Sequence, residues 1–211
     1  MTGLLSAANE AEALELLHDS GCTDGLPVVI PTPDRVARLV LASGVDADIE
    51  LGAMGPGGGS STIEKIATNA VMAGCIPDHM PVVVAAIRAM LQPEFDLGEM
   101  QSTTHCTAPL MIVNGPVVEH CGIAGGFGAL GPGHRANASI GRAVRLCLMN
   151  IGDARPGVSD MALLGQPGKF SFCLAEAERS SPWGSLSESL GYDAGESVVT
   201  ILGAEAPHSV L

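Results

Sequence analysis

The apolar positions near the start of the chain recur mainly with helical spacing. Residues 7–19 place alanine and leucine on one face of a helix, and a glycine follows soon after. Thr32 and Pro33 supply an N-cap and a first helical position for a second helix, which we expect to run to about Ser43. Between these helices, the apolar run Val28–Ile30 predicts a short strand.

Two further helices are predicted after the glycine-rich stretch 55–59. Ser60 or Ser61 is expected to cap the first of them, and the spacing of Ser61 and Glu64 fits a capping box. The second helix is expected to extend over residues 77–91. Since only a few residues separate the two, the pattern predicts a helical hairpin.

The second half of the chain alternates strands with one long helix. Residues 109–113 form a buried apolar strand, which residues 117–118 are expected to continue beyond a kink. A helix is predicted over residues 135–150, and further strands at residues 170–174 and 197–202.

The order of these elements predicts an α/β fold. Interleaved helices and strands favour a layered mixed sheet packed against helices, with the Gly-rich loops forming the active site. The length of 211 residues suits a single α/β domain over residues 1–211. Within this domain, residues 1–95 are expected to be mainly helical and residues 96–211 to be rich in strands.

The charge of the chain excludes some classes of partner. The formal net charge is −13, so nucleic acid would be repelled unless a local basic patch exists. Arg135, Arg142, Arg145 and Arg155 are too few for such a surface but enough for one small anion. No apolar run approaches the roughly 20 residues of a membrane helix, and no secretory signal is visible. We therefore expect a cytoplasmic protein that binds neither nucleic acid nor a membrane.

The strongest candidate for a ligand site is the Gly-rich segment, residues 122–135, with the helix that follows it. A helix N-terminus offers unpaired N–H groups and a partial positive charge, and glycine lets the backbone come close to an anion. The alternative is a long surface connection whose glycines only make turns. The candidate substrate-binding residues are Gly126, Gly128, Arg135, Asn137 and Asn114.

Two nucleotide-binding motifs are not supported. The spacing of Gly126, Gly128 and Gly131 partly resembles the dinucleotide fingerprint, but no strand directly precedes it and the acidic residue downstream is not evident. The stretch 55–62 opens a helix yet lacks the Gly-Lys-Ser/Thr ending of a P-loop. Lys65 is a candidate second anion contact, with a simple capping turn as the alternative.

Three residues are candidates for catalysis. His105 precedes a buried strand in a run rich in hydroxyls, which suits a general acid or base, although a structural histidine is equally typical there. Asp24 stands at a turn, where it can be a ligand or stabilise the turn. Lys169 can reach a substrate carboxylate or remain solvated. Glu176 and Glu178 lie two residues apart, so on a strand at most one of them would face a site.

Metal binding remains an alternative that the sequence does not resolve. Imidazole and thiolate bind zinc or iron, and His-Cys pairs occur at residues 105–106 and 120–121. Adjacent residues of a strand point to opposite faces, so a site would need one residue from each pair. We assign no metal ligand and leave any cofactor unknown. Cys22 is a poor candidate nucleophile, because Asp24 beside it opposes a lowered pKa.

Several motifs together resemble a family of little-characterised bacterial proteins. They are CTDGLPVVIPT, NAVMAGC, TTHCTAPLMIVNGP, GALGPGHRANASIGRAVRL, GQPGKFSFCLAEAE and SPW. The resemblance covers the chain from roughly Gly21 to its end. Its members share a TDGLPVV-PPT opening and an NGP…ALGPG-RANA-IGRA centre. In some relatives this region is associated with a segment or chain that carries a (seleno)Cys-Gly-Ser-Cys motif, which implies thiol or selenol redox chemistry.

This chain departs from that family in two respects. It lacks the (seleno)Cys-Gly-Ser-Cys motif, and Cys22 stands where relatives have an aromatic residue before TDGLP, so no catalytic role is carried over to Cys22. The relatives also continue beyond the stretch at residues 203–208, whereas this chain ends at Leu211. We therefore expect residues 198–202 and the tail to be buried against a second protein chain.

The leading hypothesis is an enzyme subunit that binds a small anionic substrate of carboxylate type at residues 125–137. Thiols of a partner chain would complete its redox chemistry, and His105 is expected to share one cleft with Arg135. A hydratase or lyase without a redox step, with or without a metal, is the first alternative. A non-catalytic binding subunit of a hetero-oligomer is the second.

Overall fold

The structure is a computed structural model that describes residues 4–208. The α-helices in this range are α1 (Glu10–Asp19), α2 (Pro33–Ser43), α3 (Ile63–Met72), α4 (Met80–Met90), α5 (Leu97–Ser102), α6 (Val117–Cys121), α7 (Arg135–Asn150) and α8 (Leu186–Ser189). The β-strands are β1 (Glu50–Met54), β2 (Gly59–Thr62), β3 (Ala108–Asn114), β4 (Cys173–Ala175) and β5 (Val198–Ala204). Helices and strands interleave along the chain, which confirms the predicted α/β class.

The first two helices begin where capping side chains stand. Asn9 accepts a hydrogen bond from a backbone N–H in the first turn of α1 (3.0 Å), so this helix begins at Glu10 and not at residue 7. Thr32 caps α2 in the same way, as predicted. Gly44 ends α2 with a φ of 67°, a left-handed conformation that glycine adopts without strain.

Val28–Ile30 is not a strand, and that prediction is wrong. Pro27 and Pro31 flank the segment, and proline has no N–H to donate to a strand ladder. The segment lies instead over the end of α3, where Val29 donates its N–H to the carbonyl of Met72 (3.1 Å).

A β-hairpin that the pattern did not predict occupies residues 50–62. Its strands β1 and β2 pair antiparallel. Because β2 continues directly into α3, the helix is capped by Thr62, whose Oγ1 accepts from the N–H of Lys65 (3.4 Å). Neither Ser60 nor Ser61 is therefore the cap, and the predicted capping box is wrong.

The main sheet has three strands in the order β4-β3-β5. β3 is parallel to β4, with Val113 opposite Ala175, and antiparallel to β5, with Ala108 opposite Ala204. The predicted strand at residues 170–174 is displaced toward its C-terminal end, since a short 3₁₀ turn precedes β4.

The chain leaves β3 through a turn and a short helix. Gly115 has a φ of 82°, which redirects the backbone. Val117 and Val118 then open α6, and Val118 donates its N–H to the carbonyl of Gly115 (3.1 Å). The prediction that these two valines extend the strand is therefore wrong.

α7 connects the parallel strands and lies at the centre of the core. It packs against α3, α4 and β4. Gly141 permits this close packing, because a Cβ at that position would overlap the side chain of Ser171 and the backbone of Phe172 just before β4. One buried apolar cluster contains side chains from residues 1–95 and from residues 96–211.

β5 forms one edge of the main sheet. Within residues 4–208 it pairs with β3 alone, and Leu202 is among its partly exposed residues. Leu211, the end of the tail that was expected to be buried, lies outside the described residues. Over the same range, no helix has both the length and the apolar composition that crossing a membrane requires.

Candidate functional site

The Gly-rich segment lies at the carboxyl end of the parallel strands β3 and β4. Ala124 accepts a hydrogen bond from the N–H of Ala175, the last residue of β4 (3.0 Å). Gly125 packs so closely on the carbonyl of Ala175 that a Cβ there would overlap it. In open α/β sheets, ligands bind in the crevice outside the carboxyl ends of the strands. The segment therefore occupies the place where such a crevice forms.

Asn137 holds the Gly-rich segment in shape. Its Oδ1 accepts from the N–H of Ala124 (2.8 Å), and its Nδ2 donates to the carbonyls of Ala124 (2.8 Å) and Ala129 (3.1 Å). Both N–H groups of this buried amide are thus used within the protein. Asn137 positions the segment on the first turn of α7 and leaves no donor for an anion, in contrast to the expectation from the sequence.

The tip of the Gly-rich segment is open to solvent. Gly126 and Gly128 have positive φ angles of 143° and 68°, and no atom lies within contact distance of a Cβ built at either position. The side chain of Phe127 between them is fully exposed. The tip therefore presents bare backbone and one aromatic ring, which a ligand or a partner chain can approach.

The N-terminus of α7 has a partial positive charge that no side chain of the helix compensates. The backbone N–H groups of Arg135, Ala136 and Asn137 have no acceptor among residues 4–208, as is usual for the first turn of a helix. His134 provides no side-chain cap, and no acidic residue stands in this turn. By contrast, α1, α2 and α3 each have a side-chain cap and an acidic residue in the first turn. The start of α7 thus has the free donors and partial charge that attract an anion.

Arg135 adds a full positive charge at the same place. Arg142 and Arg145 of α7 are each bound to a buried aspartate, whereas Arg135 has no carboxylate partner in the described part of the chain. Its exposed guanidinium donates one hydrogen bond, from Nη2 to the carbonyl of Gly74 (3.3 Å). A guanidinium has five donors, so most remain for a ligand.

His79, which the sequence did not single out, is buried in the same region. Its residue is 1% exposed, and Nδ1 has no partner among residues 4–208. Burial lowers the pKa of His79, and the charge of Arg135 lowers it further, against smaller opposing effects of Cys121 and Asp78. The imidazole is therefore neutral at neutral pH. Its only sequence signal was a histidine within the apolar helical hairpin.

Four cysteines are buried in the core near these groups: Cys75, Cys121, Cys147 and Cys173. Burial is the main cause that raises the pKa of each thiol, to about 12 for Cys75 and to about 12 for Cys173. Protonated thiols are poor nucleophiles and poor metal ligands at neutral pH. The two remaining cysteines, Cys22 and Cys106, are partly exposed.

Asn114, the last residue of β3, binds two glutamates. Its Nδ2 donates to Oε2 of Glu176 (2.6 Å) and to Oε1 of Glu178 (2.6 Å), while its buried Oδ1 has no partner among residues 4–208. β4 ends at Ala175 and Glu178 lies in a 3₁₀ turn, so strand alternation does not separate the two glutamates. The expectation that at most one of them faces this region is wrong. As with Asn137, the amide of Asn114 has no free donor for a substrate.

His105 lies at the opposite end of β3 from Arg135. It precedes the strand, is exposed, and places Nδ1 3.1 Å from Oε1 of Glu205, which follows β5. The seven residues of β3 separate it from the Gly-rich segment, a span of about 20 Å. The expectation that His105 shares a cleft with Arg135 is therefore wrong.

The length of β3 also separates the two His-Cys pairs that were considered as metal ligands. The His-Cys pair at residues 105–106 precedes β3 and the pair at residues 120–121 follows it, so one residue from each cannot meet at one ion. Across residues 4–208, no three His, Cys, Asp or Glu side chains are placed to hold a metal ion together.

Asp24 is bound on both oxygens by one arginine. Its carboxylate accepts from Nε and Nη2 of Arg142 at 2.7 Å each, and the two side chains are 3% and 17% exposed. The same guanidinium donates to the carbonyls of Leu26 and Pro27. The TDGLP motif is thus fixed to the middle of α7, and Asp24 has no direct contact with the Gly-rich segment.

Lys169 and Arg145 share the carboxylate of Asp160. Nζ of Lys169 lies 2.9 Å from both oxygens, and Nη2 of Arg145 lies 3.1 Å from one of them. All three side chains are largely buried. Lys169 and Arg145 line a small pocket together with Thr107 and Ala108, at the start of β3, so Lys169 is remote from Arg135.

This buried cluster predicts a pH dependence of stability. Burial alone would raise the pKa of Asp160, but the hydrogen bond and charge of Lys169, with the charge of Arg145, together lower it. A carboxylate with a lowered pKa stabilises the fold above the ordinary aspartate pKa, and this stabilisation is lost as the pH falls below about 4. Urea denaturation between about pH 3 and pH 7, the range over which carboxylates titrate, measures the free energy of unfolding at each pH. This free energy should fall less at acid pH for Asp160→Asn than for wild type. The exposed Asp153→Asn variant should show the same dependence of the free energy of unfolding on pH as wild type. An equal dependence in all three proteins would contradict the assignment of the effect to Asp160.

Comparisons with protein-family models, with curated proteins and with solved structures found no match for this chain. The structure itself defines the chain as an α/β protein. Its most distinctive feature is the glycine-rich connection from β3 to α7, at the carboxyl end of the parallel strand pair.

Proposed function

We propose that this chain is an enzyme subunit that binds a small organic anion of carboxylate type at the start of α7. The observation that carries the proposal is the exposed guanidinium of Arg135, which lacks a carboxylate partner in residues 4–208 and stands on a helix end with free N–H groups. Carboxylates accept paired, charge-assisted hydrogen bonds from such groups. In a chain of net charge −13, an unneutralised cation beside an open glycine-rich tip is a specific feature.

His79 supports a catalytic function for this site. A buried neutral imidazole with an unused nitrogen is suited to proton transfer, and the charge of Arg135 reaches it. Proton transfer is a step that both redox enzymes and lyases require. His79 therefore replaces His105 as the general acid or base that we associate with Arg135.

A thiol redox step would require a partner chain or segment. The four core thiols are held protonated by burial, so they do not supply a ready thiolate. The resemblance to proteins associated with a (seleno)Cys-Gly-Ser-Cys motif supports a partner that brings this group. The exposed tip at Phe127 offers it an approach. Free cysteines throughout the described chain also support a cytoplasmic location.

A non-catalytic binding subunit is the second candidate. It is favoured by the positions of Asp24 and Lys169, which are engaged in internal ion pairs and do not converge with Arg135. In that case the chain would hold the anion for a catalytic group of its partner. Replacement of His79 by glutamine separates the two candidates. If the chain is an enzyme subunit, the variant should bind the anion as wild type does, but its complex with the partner chain should lose turnover. If the chain only binds the anion, turnover should be unchanged.

Binding of small carboxylates tests the proposed site. Acetate, succinate and citrate would be titrated into the protein in a calorimeter, with acetamide and succinamide as uncharged counterparts. Arg135→Met should weaken binding of the preferred carboxylate by about tenfold or more, since charge-assisted hydrogen bonds are lost. Its melting temperature should remain unchanged because the side chain is exposed.

Arg88→Met is the matched control for this experiment. Arg88 is also an exposed arginine without a carboxylate partner among the described residues, but it stands on α4. This variant removes the same charge from the protein as a whole and should keep wild-type affinity. Equal weakening in both variants, or equal affinity for carboxylates and their amides, would show that Arg135 forms no specific site.

A further inference from the structure

A second feature of the molecule, separate from the start of α7, is a cleft among the N-terminal helices. It has a volume of about 1050 Å³ and lies between α1 and α2, with α3 at its base. Leu16 and Leu17 line it from α1, and Val36 and Val40 line it from α2. Pockets for small organic ligands typically measure about 300–1,000 Å³ and are mainly apolar. The cleft therefore has the size and the walls of a ligand site.

The cleft remains open because α1 packs only loosely on the rest of the chain. Leu17 is the one residue of α1 that is fully buried. The helix is joined to α2 by an ion pair between Arg35 and Glu10 (3.4 Å), in which both side chains are largely exposed. The two walls are thus linked by few contacts, and apolar surface of both remains available to an occupant.

The base of the cleft is formed by one face of α3. Lys65, Thr68, Asn69 and Met72 follow the helical spacing that puts residues on a common face, and all four line the cleft. The hydroxyl of Thr68 donates to a backbone carbonyl. The amide of Asn69 donates to the carbonyl of Lys65 and accepts from Asn150. Thr68 and Asn69 are therefore already paired, whereas the buried Oδ1 of Asn150, which also lines the cleft, has no partner among residues 4–208. An apolar ligand body can cover the paired groups without a large penalty.

Lys65 adds a charged donor to this lining. Its ammonium donates to the carbonyl of Ser60 (2.9 Å) and has no carboxylate partner within residues 4–208. An ammonium has three donors, so two remain for another acceptor. Asp46 and Glu64 also line the cleft, but neither forms an ion pair with Lys65. Lys65 thus brings a cation with free donors into a mainly apolar lining that also contains these two carboxylates.

We infer that the cleft binds an amphipathic organic acid. Its apolar body would lie between α1 and α2, and its carboxylate would accept hydrogen bonds from Lys65. The volume of the cleft, close to the upper end of the range of small-ligand pockets, favours a small molecule over a protein segment. The net charge of −13 and the two neighbouring carboxylates favour a cationic ligand in general. A preference for the acid would therefore be a local effect of Lys65.

Three ligands with the same ten-carbon chain test the inference: decanoate, decanol and decylammonium. Each is titrated by calorimetry, the two ions below their micelle concentrations and decanol below its solubility limit. Decanoate should bind most tightly and with a stoichiometry of one. Lys65→Met should weaken decanoate by about tenfold while changing decanol by less than about twofold, as expected for the loss of a charge-assisted hydrogen bond. Equal affinity for the three ligands, or tighter binding of decylammonium, would overturn the assignment.

A blocking variant tests the position of the ligand. Ala37 is exposed on α2 and lines the cleft, so Ala37→Trp should place an indole ring in the cleft without disturbing the fold and should weaken binding of all three ligands. Leu164→Trp, at an exposed loop residue outside the cleft, is the control and should bind like wild type.

Arg135→Met separates this site from the one at the start of α7. Decanoate affinity should be unchanged in that variant, and succinate affinity should be unchanged in Ala37→Trp. Loss of decanoate binding in Arg135→Met would place the acid at α7 and overturn the inference, whatever the outcome for succinate. Unchanged decanoate affinity in Ala37→Trp would also overturn it.

Discussion

Asp24→Ala is expected to lower the free energy of unfolding by about 3–5 kcal/mol, because it leaves the charge of Arg142 in a largely buried site without its partner. Both oxygens of Asp24 are bound by that guanidinium, and Asp24 also accepts from the N–H of Leu26 (3.2 Å). The pair joins two segments that are far apart in sequence, the TDGLP turn and the middle of α7. Its loss should therefore loosen the loop that covers one side of the central helix. Urea denaturation at pH 7 measures the change.

Two further variants show whether the loss comes from the unpaired charge. The double variant Asp24→Leu with Arg142→Met should recover much of the stability, because removal of both charges leaves no buried charge unpaired. Glu119→Ala removes an exposed pair with Arg179 and should cost less than about 1 kcal/mol. A loss in Asp24→Ala no larger than in Glu119→Ala would show that the buried pair does not hold the loop.

Asn137→Ala is expected to cost about 3 kcal/mol, because three hydrogen bonds of a buried amide are lost and two backbone groups of the Gly-rich segment lose their partner. The segment should become mobile, and hydrogen exchange at Ala124 and Ala129 should accelerate more than exchange in α3. Carboxylate affinity should also fall, because the segment borders the start of α7. Asn137 would act there by positioning, without touching the ligand.

Two comparisons accompany this variant. Asn9→Ala removes the exposed cap of α1 and should cost only about 1 kcal/mol. Asn137→Asp retains the shape but places a carboxylate against two carbonyl oxygens, so it should be no more stable than Asn137→Ala. If hydrogen exchange of the Gly-rich segment were the same in wild type and Asn137→Ala, the amide would not be what shapes it.

The sequence predicted those elements whose ends carry local signals. α7 begins at Arg135 and ends at Asn150 as expected, and α2 is bounded by Thr32 and Gly44. These boundaries depend on capping and on apolar period, which a short stretch of chain contains. The hairpin at residues 50–62 was missed because both strands are short. β1 (ELGAM) has no β-branched or aromatic residue, and β2 (GSST) is mostly glycine and serine, so both give weak signals for a strand.

The candidate site was predicted less well, because tertiary contacts decide which polar groups are free. Asn137 and Arg135 lie two residues apart on one helix and appeared equally suited to bind an anion. The fold turns the amide inward onto the Gly-rich segment and leaves the guanidinium exposed. His105 was favoured from its neighbours in sequence, yet the direction of β3 carries it to the far end of the sheet. His79 had no local signal, since its burial and the effect of the charge of Arg135 on its pKa arise only in the folded chain.

The most direct test of the proposed site is a titration of ¹⁵N-labelled protein with succinate, followed by nuclear magnetic resonance. A carboxylate at the start of α7 should shift the backbone N–H signals of Arg135, Ala136 and Asn137 most strongly, together with the Nε–H signal of Arg135. The same titration of Arg135→Met should need about tenfold more succinate or more. Absence of shifts in the first turn of α7, or larger shifts around His105 and Lys169, would contradict the assignment of the site to the start of α7.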